Sequence, residues 1–199
     1  MAVIWVTVPT AGRETLTEAI DSTGIPRDHI VLVATAPGAN LPDGCHVVED
    51  FGEINIHRWW NTGIDYAAER GATHVLVIND DVVLNADSTV QTLLDGMGSA
   101  VIASPGTGGI FQQPDTALRV MDGSCWLLDL SSGLRADETY RWWYGDNDLD
   151  LRARRDHGGV ASLRCHFAHV RANHLTAASP ELQRLADEDH KRWEAACAG

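Results

Sequence analysis

The run HVLVINDDVVL, His74 to Leu84, sets two aspartates side by side after four apolar residues and Asn79. Neighbouring carboxylates repel, and burying either one without a partner is costly. A divalent cation answers both problems. Mg2+ or Mn2+ takes one or two carboxylates and leaves positions open for substrate phosphates. The alternative without a ligand is a turn in which Asp80 and Asp81 accept backbone N–H groups. A second acidic run, YGDNDLDLRARRDHGG, alternates Asp146, Asp148 and Asp150. It is not a calcium loop, since Leu151 stands where such a loop needs Gly and His157 where it needs Glu. It predicts a helix start instead, with Asp148 as cap and Leu149, Leu151, Arg152 and Arg154 carrying the helix to Gly158. Acids at a helix start stabilise it without any catalysis. Trp142, Trp143, Tyr144 and Gly145 come directly before them, and aromatic rings beside acids serve as a sugar or ring platform or as core.

Further polar residues could join either group. His166 and His169 are three apart and face opposite ways on a strand, so one at most points into a site. His174 comes after them. In HRWWNTGIDYA, Arg58 can pair with a phosphate, Trp60 reads as a core anchor and Asn61 as a helix N-cap. No Gly-rich dinucleotide fingerprint, Walker loop, HExxH motif or Ser-His-Asp order is present.

The elements that must position these residues alternate. Strands are expected at Val3–Val8, His29–Val33, near Val47 and Val48, at Val75–Ile78 and at Val101–Ala103. Helices are expected in GRETLTEAIDSTG, with Leu16, Ala19 and Ile20 inward, in NTGIDYAAERG, and in STVQTLLDGM with Ser88 as cap. This alternation predicts an α/β fold with a mostly parallel central sheet and helices on both faces. Ligands bind beyond the carboxyl ends of such strands, where PTAGR, TAPGAN and NDD gather. Downstream, Ser104 to Asp115 reads as a mobile Gly-rich loop, Val120 to Leu130 as a strand pair or bent strand, and VASLRCHFAHV as an apolar stretch. Ser179 and Pro180 open a last helix with Leu182, Leu185, Ala186, Trp193 and Ala196 on one stripe.

Length and composition narrow the function classes. The 199 residues fit one domain with a full core. Fifteen Lys and Arg against 28 Asp and Glu leave a formal charge of −13, which argues against nucleic acid as a partner. No apolar run approaches a membrane span, and MAVIWVTVP reads as a first strand and not as a signal peptide. Cys45, Cys125, Cys165 and Cys197 have no zinc or CxxC spacing, so reduced thiols in a cytoplasm are expected.

Taken in order, VPTAGR, NTGIDYA, VLVINDD, DGSCWLLDL, GLRADE and YGDNDLDLRAR resemble glycosyltransferase family 2 with the GT-A fold, over about Val3 to His169. The resemblance implies a GT-A, Rossmann-like sheet with a small antiparallel addition. It implies a nucleotide-sugar half at 1–104, an acceptor and catalytic half at 105–170, and the C-terminal helix at 179–197. It implies a metal-dependent, inverting transfer of a hexose-type sugar from a nucleoside-diphosphate sugar to an acceptor hydroxyl of unspecified identity. Asn79-Asp80-Asp81 stands in place of the family's Asp-rich triplet. Asp81 is then the ligand of Mn2+ or Mg2+, with His169 completing the metal shell, and Asn79 and Asp80 contact the nucleotide. Pro9, Thr10, Arg13, Arg58 and Asn61 fall in the nucleotide-sugar segments. The family's Glu-Asp-x-Asp-Leu-x-x-Arg motif matches Asn147 to Arg154, which makes Asp148 the catalytic base. Trp142, Trp143, Tyr144, Gly145, Asp146 and Asn147 then form the acceptor or sugar platform. Two other readings stand beside this one: a non-catalytic nucleotide-sugar or glycan-binding module, and a nucleotidyltransferase, against which the single Gly of PTAGRE counts.

Overall fold

The structure, a computed structural model, describes residues 2–85, 90–170, 176 and 179–198. Ser88 and His174 lie outside the described residues. Strands β1 (Ile4–Thr10), β2 (Ile30–Ala34), β3 (His46–Glu49) and β4 (His74–Ile78) are parallel, in the order β3-β2-β1-β4. The sheet continues through β8 (Cys125–Asp129), β6 (Ile102–Pro105), β9 (Val160–Leu163) and β7 (Gly109–Phe111). Strand β8 runs antiparallel to both β4 and β6, β9 parallel to β6, and β7 antiparallel to β9. A separate antiparallel pair joins β5 (Val82–Leu84) to β10 (Phe167–His169).

Side-chain alternation along the strands divides the core into two layers. Val6, Val8, Leu76, Ile78 and Leu127 point to one face, under α1 (Leu16–Ser22) and α3 (Val90–Gly96). Trp5, Val75, Val77, Trp126 and Leu128 point to the other, under α2 (Ile56–Ala68) and α4 (Gly145–Asp156). Successive strand residues face opposite ways, so strands covered on both faces are apolar at nearly every position. Helix α1 buries Leu16, Ala19 and Ile20 as their spacing predicts, and ends before Gly24, whose φ is 67°. Helix α2 lies so close to β1 that a Cβ at Gly63 would overlap the Thr7 hydroxyl. Helix α5 (Pro180–Cys197) opens on Ser179, whose side chain accepts from the Leu182 N–H at 3.3 Å.

Several local expectations need correction. Helix α2 starts at Ile56, five residues before Asn61. Asn55 is the cap, its side chain accepting from the Arg58 N–H at 3.0 Å. The Gly-rich stretch from Ser104 contains the end of β6 and all of β7. Only Cys125–Asp129 of the Val120–Leu130 segment is a strand. VASLRCHFAHV divides between β9 and β10, which lie in different sheets. Helix α4 begins at Gly145, so Asp148 sits inside its first turn and caps nothing. Among the described residues no helix is long and apolar enough to cross a membrane. All four cysteines are free thiols.

Candidate active site

Parallel strands β1, β2 and β4 end at one rim, and a cavity of about 750 Å3 opens there. Its first wall is Pro9 and Thr10 at the end of β1, Ala11 and Arg13 after it, Thr35 after β2, and Asn79, Asp80 and Asp81 after β4. The second is Trp142, Trp143 and Tyr144 with Asp146 and Asn147 from the start of α4. His57, Trp59 and Trp60 of α2 also line it, as does Arg119.

The two adjacent aspartates are both buried, and the protein itself compensates them. Thr10 Oγ1 donates to Asp80 Oδ2 at 2.7 Å, and Thr15 Oγ1 donates to the Asp80 carbonyl at 2.8 Å. Arg13 reaches both acids, with Nε 3.4 Å from Asp80 Oδ1 and Nη1 3.5 Å from Asp81 Oδ2. Burial raises the pKa of Asp80. The Thr10 bond and Arg13 act against that rise, and Asp81 adds to it. His169 comes from the small sheet, where it is the register partner of Val82, and its Nδ1 lies 3.4 Å from Asp81 Oδ1.

Asp81 and His169 thus form a mixed oxygen and nitrogen donor pair, a set compatible with Mn2+. No group of three His, Cys, Asp or Glu side chains converges among the described residues. Among the described residues two such donors meet here, a number that would leave coordination positions to ligand oxygens and water. Arg13 is the resident cation at these carboxylates.

Helix geometry sorts the second acidic run. Residues two apart on a helix project about 200° apart, whereas residues four apart share a face. Asp146 lines the cavity and binds Arg119 Nη2 at 2.7 Å. Asp148 does not line it. Its Oδ2 accepts from Arg152 Nε at 2.7 Å, and Arg152 in turn donates to the Arg135 carbonyl. Asp150 is fully buried in an ion pair with Arg154 at 2.7 Å. Of the three acids in this run, Asp146 is the one that lines the cavity, while Asp148, expected as the base, faces Arg152.

Two more expected residues lie away from the cavity. Arg58 is bidentate to Asp50, at 2.9 and 2.8 Å, and also donates to the Glu53 carbonyl. Its guanidinium is occupied in holding the entry to α2. Asn61 is buried within α2, donating to the Ala136 carbonyl and to Glu138 and accepting from the Ala136 N–H. Gly145 is not in the lining either, and a Cβ there would overlap the ring of His57.

His57 and Arg119 had no local signal in the sequence. His57 is almost wholly buried, and burial lowers its pKa, so the ring is neutral. Its Nδ1 lies 2.8 Å from the Tyr140 carbonyl, which can only accept, so the proton is on Nδ1. Arg119 is carried by a strap, residues 113–121, held down from beneath. The Arg154 guanidinium donates to the carbonyls of Gln113, Asp115 and Leu118, and Asp150 accepts from the Met121 N–H.

The mixed sheet with helices on both faces, the small antiparallel pair and the cavity at the carboxyl rim match the GT-A fold, as the solved structures below show. No protein-family model and no curated protein matches the sequence. Solved structures do match. The mannosyltransferase PcManGT from Pyrobaculum calidifontis, in complex with GDP-Man and Mn2+, superposes with a TM-score of 0.65 at 16% identity, over 88% of this chain and 59% of that one. GalNAc-T7 with UDP, GalNAc and Mn2+ gives 0.65 at 12% identity, over 94% and 48%. S. aureus TarS 1-349 in complex with UDP gives 0.57 at 13% identity, over 93% and 64%. The chain spans about half to two thirds of the length of these proteins.

Proposed function

We propose that this chain is a glycosyltransferase that moves a sugar from a nucleoside-diphosphate sugar to an acceptor hydroxyl with inversion. The observation that carries this reading is one cavity with Asp80 and Asp81 on its first wall and Asp146 beside three aromatic side chains on its second. The GT-A neighbours support it, since those bound to GDP-Man, or to UDP with GalNAc, also hold Mn2+.

In this reading Pro9, Thr10 and Arg13 seat the nucleotide and diphosphate, and Asn79 and Asp80 contact the ribose side. Asp81 and His169 hold a divalent cation, which supplies counter-charge to the departing diphosphate. Trp142, Trp143 and Tyr144 present ring faces to a sugar. The bond from the anomeric carbon to phosphate oxygen breaks, and its electron pair leaves with the diphosphate. The acceptor oxygen forms the new bond to that carbon from the opposite side, and its proton passes to Asp146. Arg119 must release Asp146 Oδ2 for this, and the diphosphate is the anion able to attract it. Four free thiols suit a reducing compartment, so a cytoplasmic location is part of the proposal.

The Arg119–Asp146 ion pair also favours a second reading, a binding module without turnover, because it occupies the acid that the transferase reading uses as base. Calorimetry with UDP and GDP, with and without Mn2+, tests the binding half. Mn2+-dependent binding is expected, weakened roughly tenfold or more by Asp81→Ala. Turnover of a sugar-nucleotide panel tests the chemistry. Asp146→Asn is expected to slow it roughly a hundredfold, while Asp148→Asn stays within about threefold. Normal turnover by Asp146→Asn would remove Asp146 from the mechanism, and binding without turnover by the intact chain would leave the module.

A further inference from the structure

Helix α5 puts Leu182 into the cavity lining, and from behind it also holds the aromatic wall. Asp189, in the middle of the helix, is 1% exposed. One of its carboxylate oxygens, Oδ2, accepts from three consecutive backbone N–H groups: Arg141 at 2.9 Å, Trp142 at 2.7 Å and Trp143 at 3.0 Å. Its other oxygen lies 3.2 Å from Arg192 Nη1, and Arg192 also donates to the Thr139 carbonyl. Three successive N–H groups converging on one point form an anion-binding nest. Here the anion is a side chain of the protein itself.

The nest also shapes the next residue of the chain. Tyr144 has φ 67°, the one non-glycine residue with positive φ among those described. Such a conformation persists only where its surroundings impose it. Helix α5 supplies those surroundings: the Tyr144 hydroxyl is 2.7 Å from His190 Nδ1, and its ring stacks on Trp193 with centroids 6.1 Å apart. The left-handed turn at Tyr144 then starts α4 and delivers Asp146 to the cavity.

We propose that Asp189 is a positioning residue for the cavity. By gathering the N–H groups of residues 141–143 it fixes the aromatic wall and the entry to α4, so that ligand geometry on the sugar side depends on helix α5. The consequence for turnover rests on the transferase reading above; the consequence for the wall does not.

Three variants of the full chain decide it: Asp189→Ala, which removes the acceptor, Asp189→Asn, which keeps one acceptor oxygen, and Trp193→Leu, which keeps Asp189 and removes the stack. Amide hydrogen exchange is read at residues 141–143 and in β4. Asp189→Ala is expected to speed exchange at 141–143 about tenfold or more, with β4 unchanged and Asp189→Asn recovering most of the protection. Trp193→Leu is expected to leave 141–143 within about threefold of the intact chain. In parallel, Mn2+-dependent affinity for UDP or GDP is expected to stay within about twofold in Asp189→Ala, while kcat/KM for sugar-nucleotide turnover falls about tenfold. Unchanged exchange at 141–143, or a rise equal to that in β4, overturns the proposal. If the intact chain binds neither nucleotide, the transferase reading fails alone, and the exchange measurement still decides Asp189.

Discussion

At the scale of single residues, His57 links burial to pH. Its neutral ring lies under Gly145, with Nδ1–H bound to Tyr140 and the Trp60 ring edge-on at 4.8 Å. Burial, the largest cause, lowers its pKa, and the Tyr140 carbonyl bond, followed by nearby Asp146, Asp189 and Asp137, partly offsets that. The unfolded chain therefore takes up a proton at this site before the folded one does. The stabilisation is complete above the ordinary value of 6.5 and is lost as pH falls from there toward the lowered folded value. Urea unfolding between pH 7.5 and 5.5 is expected to show stability falling by up to about 1.4 kcal/mol per pH unit from this group. His57→Asn should flatten that slope; an unchanged slope would assign it to other groups. Nothing in the residues around His57 announced this role, because it depends on a carbonyl 83 positions away. Asp80 and Asp81 were legible for the opposite reason. Two acids ending an apolar strand are improbable without compensation, and Arg13 and Thr10 provide it.

At the scale of elements, α4 shows how one turn of helix reassigns a motif. Its alternating acids suggest a cluster when read along the chain. Wound into a helix they separate, Asp146 to the cavity, Asp148 to Arg152 and Asp150 to the buried Arg154. The entry to the helix allows no side chain at Gly145, since the His57 ring fills that space. Gly145→Ala is expected to destabilise the fold by about 1–3 kcal/mol through overpacking. Under the transferase reading proposed above, it should also shift the affinity for sugar nucleotides, because Asp146 and Asn147 come directly after it. Urea unfolding and calorimetry check the two parts, and full stability in Gly145→Ala would show that the ring moves aside freely. The start of α2 was misplaced in the sequence for a related reason. Asn61 and Asn55 are both competent caps, and only the Asn55 bond to the Arg58 N–H identifies the one in use.

At the scale of the whole molecule, long-range polar anchors converge on the cavity wall. Arg154 ties α4 to the 113–121 strap, and through it Arg119 meets Asp146. Asp150 and Arg154 are both about 1% exposed, so removing one leaves an uncompensated buried charge. Arg154→Leu is expected to lower stability by about 3–5 kcal/mol. Adding Asp150→Asn to it should recover part of that loss, since the two side chains act as a unit. A double-mutant cycle by urea unfolding measures the coupling, and additive effects would show that the pair is not one.

The sequence by itself determined the α/β architecture and the rim at which a ligand binds. Alternating apolar strands and amphipathic helices can bury their faces only in a sheet covered on both sides, and β1, β2 and β4 then bring PTAGR, TAPGAN and NDD to one edge. Those are consequences of local periodicity, which the chain carries within a few residues of each element. Only the tertiary structure decided which carboxylate of the second acidic run meets the cavity, that Arg58 and Asn61 serve the scaffold, and that Asp189 holds the aromatic wall. The first follows from winding the run into a helix; the others depend on pairing across 8 to 77 positions, and a charged or polar side chain becomes a ligand or a brace according to the partner that reaches it first.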